Sequence, residues 1–550
     1  DETQTVLNDV EVNQRLEVDK ASSSLLPYQN KEVNTVFREM TSFFKTIDFI
    51  HKENPFNDFE NEILLPYKMS TMGPFVSVAD VNGDELSDIF VGGALGQSSE
   101  IFIQEKSGNF KKSVQNAFKA DSKFEDMGSC FFDLENDGDL DLYVGSGGGG
   151  DVVDKPELLI DRIYINDGKG NFNRVKSALP KINISTSRIK AYDFNNDGYK
   201  DLFVAGRNTP GKYPYPTSSF LLKNDKKGSL VYVSDETIEL KELGMVTDFL
   251  WTDFNGDKFV DLIVVGEWMN IKLFENDQQN SFIEVSAKYG LENTTGLWMS
   301  IGQADLDGDG DIDYAVGNLG ENNKFKVKKD KPLHIYANDF DNNGRTDIIY
   351  CTQKEGKHYP IHLKDELLMQ MPKLKKRSLK YKDYAVNSME ELFGNASGKI
   401  DAHIYEVNEW RTGVFVNEDN KGYRFRPLPK EVQYSEMKAV CPIDLNEDGF
   451  IDLVMGGNQY EAKPEYGINA ASFGCVLIND QKGKFNFLDF QDSGFFEKGQ
   501  IVNPGDIIGA VEDEKQRFEF ESFIGGKLNY FKQVGQKVEG GSVLAEIAGS

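Results

Sequence analysis

Short apolar runs closed by glycine recur along most of the chain: IFVGG (89–93), LYVGSG, LFVAG, LIVVG, YAVGN, IIY and LVMGG. Runs of this length, bounded by turn residues, predict β-strands rather than helices. Each run follows a nine-residue acidic segment. Several lead into a second strand and a tight turn, as in RIYINDGKGNF (162–172) and CVLINDQKGKF (475–485). The unit therefore reads strand, acidic loop, strand, turn, strand. One such sheet cannot cover both of its faces, so the units must stack on one another.

The acidic segment obeys one pattern: Asp, then Asp, Asn or Glu at position 3, Asp or Asn at position 5, and Asp at position 9. Its seven copies start at Asp80, Asp133, Asp193, Asp253, Asp305, Asp339 and Asp444. Most starts lie 52 to 60 residues apart, which suits a four-stranded propeller blade. The step from Asp305 to Asp339 is short. The step from Asp339 to Asp444 is long and contains a helical-looking insertion at about 364–394, with Ser388 and Glu391 as a capping box and Gly394 as a stop. Together the two steps fit two blades. The expected fold is all-β, a seven-bladed propeller, with six or eight blades left open.

The spacing suits calcium, which takes roughly 6–8 oxygen ligands at about 2.3–2.6 Å. Side chains at positions 1, 3 and 5 can converge, a carbonyl near position 7 adds an oxygen, and position 9 closes the shell. The candidate ligands are Asp80, Asn82, Asp84 and Asp88; Asp133, Glu135, Asp137 and Asp141; Asp193, Asn195, Asp197 and Asp201; and Asp253, Asn255, Asp257 and Asp261. The later copies supply Asp305, Asp307, Asp309 and Asp313; Asp339, Asp341, Asn343 and Asp347; and Asp444, Asn446, Asp448 and Asp452. Five copies carry glycine at position 6, where the loop must turn sharply. The other two carry Glu85 and Lys258 there, with Gly83 and Gly256 at position 4, and are expected to bend differently or to bind more weakly. Magnesium is the rival, but it prefers compact octahedral sites that retain water. Up to seven calcium ions with a structural role are expected, since three or four carboxylates per loop repel one another without a cation.

Charge and composition narrow the partners. The 550 residues carry a formal charge of −29, which argues against nucleic acid. No apolar run reaches the ~18–20 residues of a membrane span, and the opening Asp1-Glu2-Thr3 has no basic-then-apolar start. Cys130, Cys351, Cys441 and Cys475 lie far apart and read as small hydrophobes in strands; five histidines argue against zinc or haem. No Gly-x-Ser-x-Gly, His-Glu-x-x-His or phosphate-binding loop occurs, so no enzyme is expected. A sugar-cleaving reading would need a carboxyl pair outside the seven loops. Gly145–Gly150 lack a following helix start. Tyr213-Pro214-Tyr215-Pro216 and Trp268, Trp298 and Trp410 read as core or loop-stiffening residues. The basic cluster Lys373, Lys375, Lys376, Arg377, Lys380 and Lys382 reads as a solvated face, or else as a docking point for an acidic partner.

The acidic loops with their trailing strands resemble FG-GAP/VCBS repeats of integrin-type propellers. LLPYKMSTMGPFVSVADVNGD (64–84), ELLIDRIYINDGKGNF (157–172) and DELLMQMPKLKKR (365–377) resemble the second propeller of large VCBS-repeat proteins of Bacteroidota-like bacteria. NDVEVNQRLEVDK (8–20) resembles the end of the ASPIC/UnbV segment that precedes it there. The resemblance covers about residues 1–498. It implies export to the cell surface or periplasm and a role in binding or assembly, with a protein or glycan ligand engaged through propeller loops.

The texture changes after Gly494. GQIVNPGDIIG is echoed by GQKVEGGSVLA, which is similar to the two halves of a biotinyl/lipoyl carrier domain. That family attaches its group to a hairpin lysine, and Lys515 falls at that place, flanked by Glu514 and Gln516 rather than by the usual methionines. Three parts are expected: 1–28 as the end of a preceding segment or a linker, 29–494 as the propeller, and 495–550 as the carrier-like domain. The alternative function is a biotin- or lipoate-carrier subunit acting through Lys515.

Overall fold

A computed structural model describes residues 36–37, 47–233, 243–279, 281–325, 327, 331–376, 380–394, 399–418 and 421–494, with five strands between 501 and 548. Among the described residues, seven antiparallel sheets of four strands occupy the region from Val76 to Leu488, and the fourth gains a fifth short strand, Gly296–Leu297. The architecture is all-β.

Six of the sheets form a series. Their first strands are Val76–Ala79, Asp126–Phe132, Thr186–Tyr192, Met245–Thr252, Ser300–Ala304 and Ala439–Ile443, and each touches the next in that order. The second strands are apolar on both faces because each sheet is packed on both sides: Asp141–Ser146, Asp201–Gly206 and Asp261–Met269 are buried at every residue. Alternate residues of one strand enter different cores, as the period of two requires. Leu262 and Val264 pack with Phe203 and Phe249 of the third and fourth sheets, while Ile263 and Val265 pack with Ile301, Tyr314 and Val316 of the fifth. Each such side chain contributes about 1.5–3 kcal/mol on burial. Comparable wedges lie between the first and second, second and third, and fifth and sixth sheets. The sixth sheet is joined to the chain ahead of the first by a different device. Tyr67 bridges Ala462, the Lys68 amide donates to the Glu461 carbonyl at 2.9 Å, and the Lys463 amide donates to the Pro66 carbonyl at 2.9 Å.

A recurrent asparagine ties neighbouring sheets. Asn166, Asn224, Asn276 and Asn479 each end a third strand. Their side-chain amides donate to Val81, Leu134, Phe194 and Leu306 carbonyls at 2.8, 2.8, 3.4 and 2.9 Å. Each acceptor is position 2 of the acidic loop in the preceding sheet. Asn417 stands at the same strand end in the fifth sheet.

The seventh sheet is not a member of this series, and here the expected count of seven blades is corrected. It comprises Leu333–Asn338, Asp347–Lys354, Lys357–Pro360 and His403–Val407, and it is inserted between the second and third strands of the fifth sheet. The 34 residues from Asp305 to Asp339 do not complete the fifth sheet; Gly413–Asn417 and Tyr423–Pro427 do so beyond the insertion. The order is also different, because Leu333–Asn338 is paired on both sides. Helices Lys364–Gln370, Tyr381–Tyr384 and Met389–Phe393 cover this sheet, and Ser388 and Glu391 form the expected capping box. One large core joins it to the series through Leu64, Leu65, Tyr213, Trp268 and Met299. Tyr213, Trp268, Trp298 and Trp410 are all buried, as expected of core residues.

All four cysteines lie in strands and are free; Cys351 and Cys475 are buried, but Cys441 is exposed, contrary to its reading as a buried hydrophobe. Among the described residues no helix is long and apolar enough to cross a membrane. In the C-terminal segment, Ile501–Val502, Gly526–Tyr530 and Ala545–Ala548 form one sheet, and Ile507–Glu512 pairs with Arg517–Glu521. Lys515 lies outside the described residues, as do Arg377 and the whole of 1–28.

Candidate metal-binding loops and the central channel

Every acidic segment begins just after the first strand of a sheet, and its ninth residue opens the second strand. All seven loops share one backbone course. Position 4 adopts positive φ at Gly83, Asn136, Asn196, Gly256, Gly308, Asn342 and Glu447, and position 6 does so at Glu85, Gly138, Gly198, Lys258, Gly310, Gly344 and Gly449. The Glu85 and Lys258 loops therefore bend like the others. Their left-handed position 6 is held at φ 67° and 72° without glycine.

The first and fifth positions build this course. The position-1 carboxylate accepts from the amides of positions 5 and 6, as Asp133 does from Asp137 and Gly138 at 3.1 and 2.9 Å, and Asp444 from Asp448 and Gly449 at 3.2 and 2.9 Å. Position 5 then accepts from the amide of position 7, as Asp257 does from Phe259 at 2.9 Å. These are Asx-turn bonds that fold the loop before any ligand arrives.

Position 9 has a second duty. Asp88, Asp141, Asp201, Asp261, Asp313, Asp347 and Asp452 are all buried. In the second, fifth and sixth sheets one oxygen accepts from the amide of position 2 at 3.0, 2.9 and 3.1 Å; the other accepts from the third-strand asparagine at 2.9, 2.7 and 2.8 Å. The carboxylate thus braces loop, second strand and third strand. Burial pushes Asp141, Asp201, Asp261, Asp313 and Asp347 up to about 7, against the backbone bonds that pull them down.

Two loops bring three carboxylates together. Oxygens of Asp305, Asp307 and Asp313 lie within 4.8 Å of one another, as do those of Asp339, Asp341 and Asp347. In both clusters Oδ1 of position 3, Asp307 or Asp341, is buried and has no hydrogen-bond partner. Asn195 Oδ1 is in the same state in the third loop. A buried oxygen left unpaired costs about 1–3 kcal/mol, and a hard cation is the partner that such an all-oxygen set fits. Burial and then the neighbouring Asp309 push Asp307 up, with Arg426 opposing at 3.6 Å.

The remaining loops are less convergent. Asn82 and Asn446 donate to Asp84 and Asp448 at 3.1 and 3.2 Å. Asn255 turns to Glu275, and Asn195 donates its other side-chain atom to Asp201. Lys226 and Lys223 lie 3.3 and 3.6 Å from Asp197. Burial raises that carboxyl, but the Tyr199 amide and the two lysines together hold it below its ordinary value. Burial and then Asp137 and Asp133 raise Glu135. Lys373 of the basic cluster donates to the Asp341 carbonyl, so part of that cluster belongs to the inserted acidic loop. Lys375, Lys376, Lys380 and Lys382 are exposed.

A channel of about 1070 Å³ runs past the series of first strands, lined by residues from or beside all six, including Val76, Ser129, Lys190, Thr247, Met299 and Lys438. Of the acidic loops it takes in only Leu140, and none of their carboxylates.

The family model described as FG-GAP-like repeat matches residues 80–144, 145–204 and 253–316. The chain carries FG-GAP-like repeats. The matches take in the loops starting at Asp80, Asp133, Asp193, Asp253 and Asp305. No curated protein matches. Among solved structures, the Vibrio cholerae biofilm matrix protein Bap1 is 11% identical over 77% of this chain and 82% of its own, with a TM-score of 0.28. BBS1N, in a complex with ARL6DN soaked with lead, is 10% identical over 56% of this chain and 96% of its own, with a TM-score of 0.25. Likeness at this level carries no inference about fold or function.

Proposed function

We propose that the protein is a calcium-stabilised binding scaffold working outside the cytoplasm: a propeller of six blades, with the acidic loop at Asp339 on an inserted sheet, that engages a protein or glycan ligand. The carrying observation is the buried, unpartnered position-3 oxygen of Asp307 and Asp341 inside loops already folded by their own backbone bonds. Calcium supplies the counter-charge that joins positions 1, 3 and 9 at these two sites. The residues of this chain hold the ion, fix the loop and brace the adjoining strands. The position-9 carboxylates are absorbed by that bracing, so the reading remains a binder rather than an enzyme. Melting the protein with calcium and with excess chelator tests it. A clear fall in melting temperature under chelation, restored by calcium but not by magnesium, supports the reading; superimposed melts reject it.

A carrier role for Lys515 is the second reading. The antiparallel pairing of Ile507–Glu512 with Arg517–Glu521, which flanks the lysine in sequence, favours it. Its test is the intact mass of protein from its native host: a biotin or lipoate increment lost on Lys515→Ala supports it, and an unmodified mass removes it.

A further inference from the structure

The channel carries four cations at its wall: Arg188, Lys190, Arg207 and Lys438. Three of them are committed. Lys190 pairs with Asp248 at 2.9 Å and donates to the Phe249 carbonyl. Arg207 is buried against Glu267 and reaches the Tyr67 hydroxyl at 3.1 Å. Lys438 lies 3.3 Å from Glu436.

Arg188 is different. Its side chain is 29% exposed, and its nearest carboxylate is Asp248, 3.9 Å away and already held by Lys190. Among the described residues its guanidinium donates no hydrogen bond, and it stands over the Phe75 ring at 4.9 Å. A guanidinium held on an aromatic face with its fork of donors unused is built to take a carboxylate in two parallel bonds. Burial lowers its proton affinity, Asp248 offsets part of that, and Arg207 lowers it again.

The surfaces around it indicate what bears the carboxylate. Tyr460, 63% exposed, lines the same channel, and the Asn458 side-chain amide donates to its hydroxyl at 3.1 Å. Val76 and Val78, 56% and 58% exposed, add apolar surface to the same lining. A saccharide presents both halves of this pattern: an apolar C–H face for the aromatic ring and the valines, and a polar rim. Flat aromatic surfaces with a polar tip serve such mixed contacts. We propose that the channel binds a carboxylate-bearing saccharide, with Arg188 receiving the carboxylate and Tyr460 the sugar face. This deepens the scaffold reading and rests on it.

The test is calorimetric titration of the full chain with trigalacturonic acid, its neutral methyl ester and a hexaglutamate peptide. Calcium is held constant throughout, and each variant is first checked by its melt. Wild-type protein is expected to bind the acid at least tenfold more tightly than the ester. Arg188→Gln is expected to bring the acid down to the ester's affinity, and Arg188→Lys to leave it between the two. Tyr460→Ala is expected to weaken acid and ester alike. Equal binding of the acid by wild type and Arg188→Gln overturns the proposal, as does absence of uronate binding or a tighter fit for hexaglutamate. The calcium-dependent melt is independent of all these outcomes, so the channel assignment can fail while the scaffold reading stands.

Discussion

The six serial sheets and the inserted sheet carry the same acidic loop in different settings. In the series, the loop is one end of a clamp: a position-9 carboxylate braces two strands, and the next sheet's asparagine reaches back to position 2. In the inserted sheet the loop keeps its course and its three clustered carboxylates, but the third strand Lys357–Pro360 ends without an asparagine. The loop motif therefore encodes a turn and a cation site, whereas the tie back to the preceding sheet is encoded one strand later, at the asparagine; the first sheet, which has no sheet before it in the series, ends its third strand in Gln104.

The largest expected effect separates the two settings. Asp261→Ala strands the Asn276 amide in the buried interior of the fourth sheet and is expected to cost about 1–3 kcal/mol of global stability by urea titration. Asp347→Ala is expected to open the inserted sheet alone, seen as faster amide exchange over 333–360 with a nearly unchanged global midpoint. Equal global losses would erase the distinction.

Calcium removal comes next. At a hundredfold excess over Kd, one site contributes about 2.7 kcal/mol. Asp307→Asn should remove its share from the series and Asp341→Asn from the inserted sheet, each read by chelator-dependent melting and local exchange. The pH trend of the metal-free protein has a definite sign. Carboxyls raised to about 7 in the fold ionise near 4 when unfolded, so their stabilisation is full below ~4 and is lost as pH rises through about 7. In chelator the urea midpoint should fall from pH 5 to pH 8, and saturating calcium should flatten that fall.

Much of this was legible in the sequence. The all-β class, the seven loops, the paired strands and the Ser388 capping box follow from apolar periodicity and turn chemistry. The insertion was visible as irregular spacing, but spacing alone cannot tell an extra blade from a sheet nested within one. A further signal is the asparagine in YIND, LKND, FEND, VNED and LIND, which marks five of the six serial sheets; the first sheet, with Gln104, and the Asp339 unit lack it. Glu85 and Lys258 bend like the glycine copies although both carry a side chain at position 6. A left-handed residue costs roughly 1–2 kcal/mol, which the Asx-turn bonds of positions 1 and 5 offset. Arg188 and the channel depend on distant strands and had no local signature.

Asn276→Ala tests the clamp itself. It leaves the Phe194 and Val260 carbonyls short of a donor and should cost about 1–3 kcal/mol; no position of the inserted sheet should show an equivalent loss. The smallest effect concerns loop strain. Lys258→Gly and Glu85→Gly should raise stability by no more than about 1 kcal/mol, because relief at positive φ is partly cancelled by glycine's freedom in the unfolded chain.

The most direct test of the central claim is a count of bound calcium by metal analysis, after gel filtration, on wild type and on the Asp307→Asn, Asp341→Asn double variant. Wild type should retain calcium, and the double variant should retain two ions fewer while keeping its fold. An equal count in both proteins, or no retained calcium in wild type, would contradict the assignment of these oxygens to a cation.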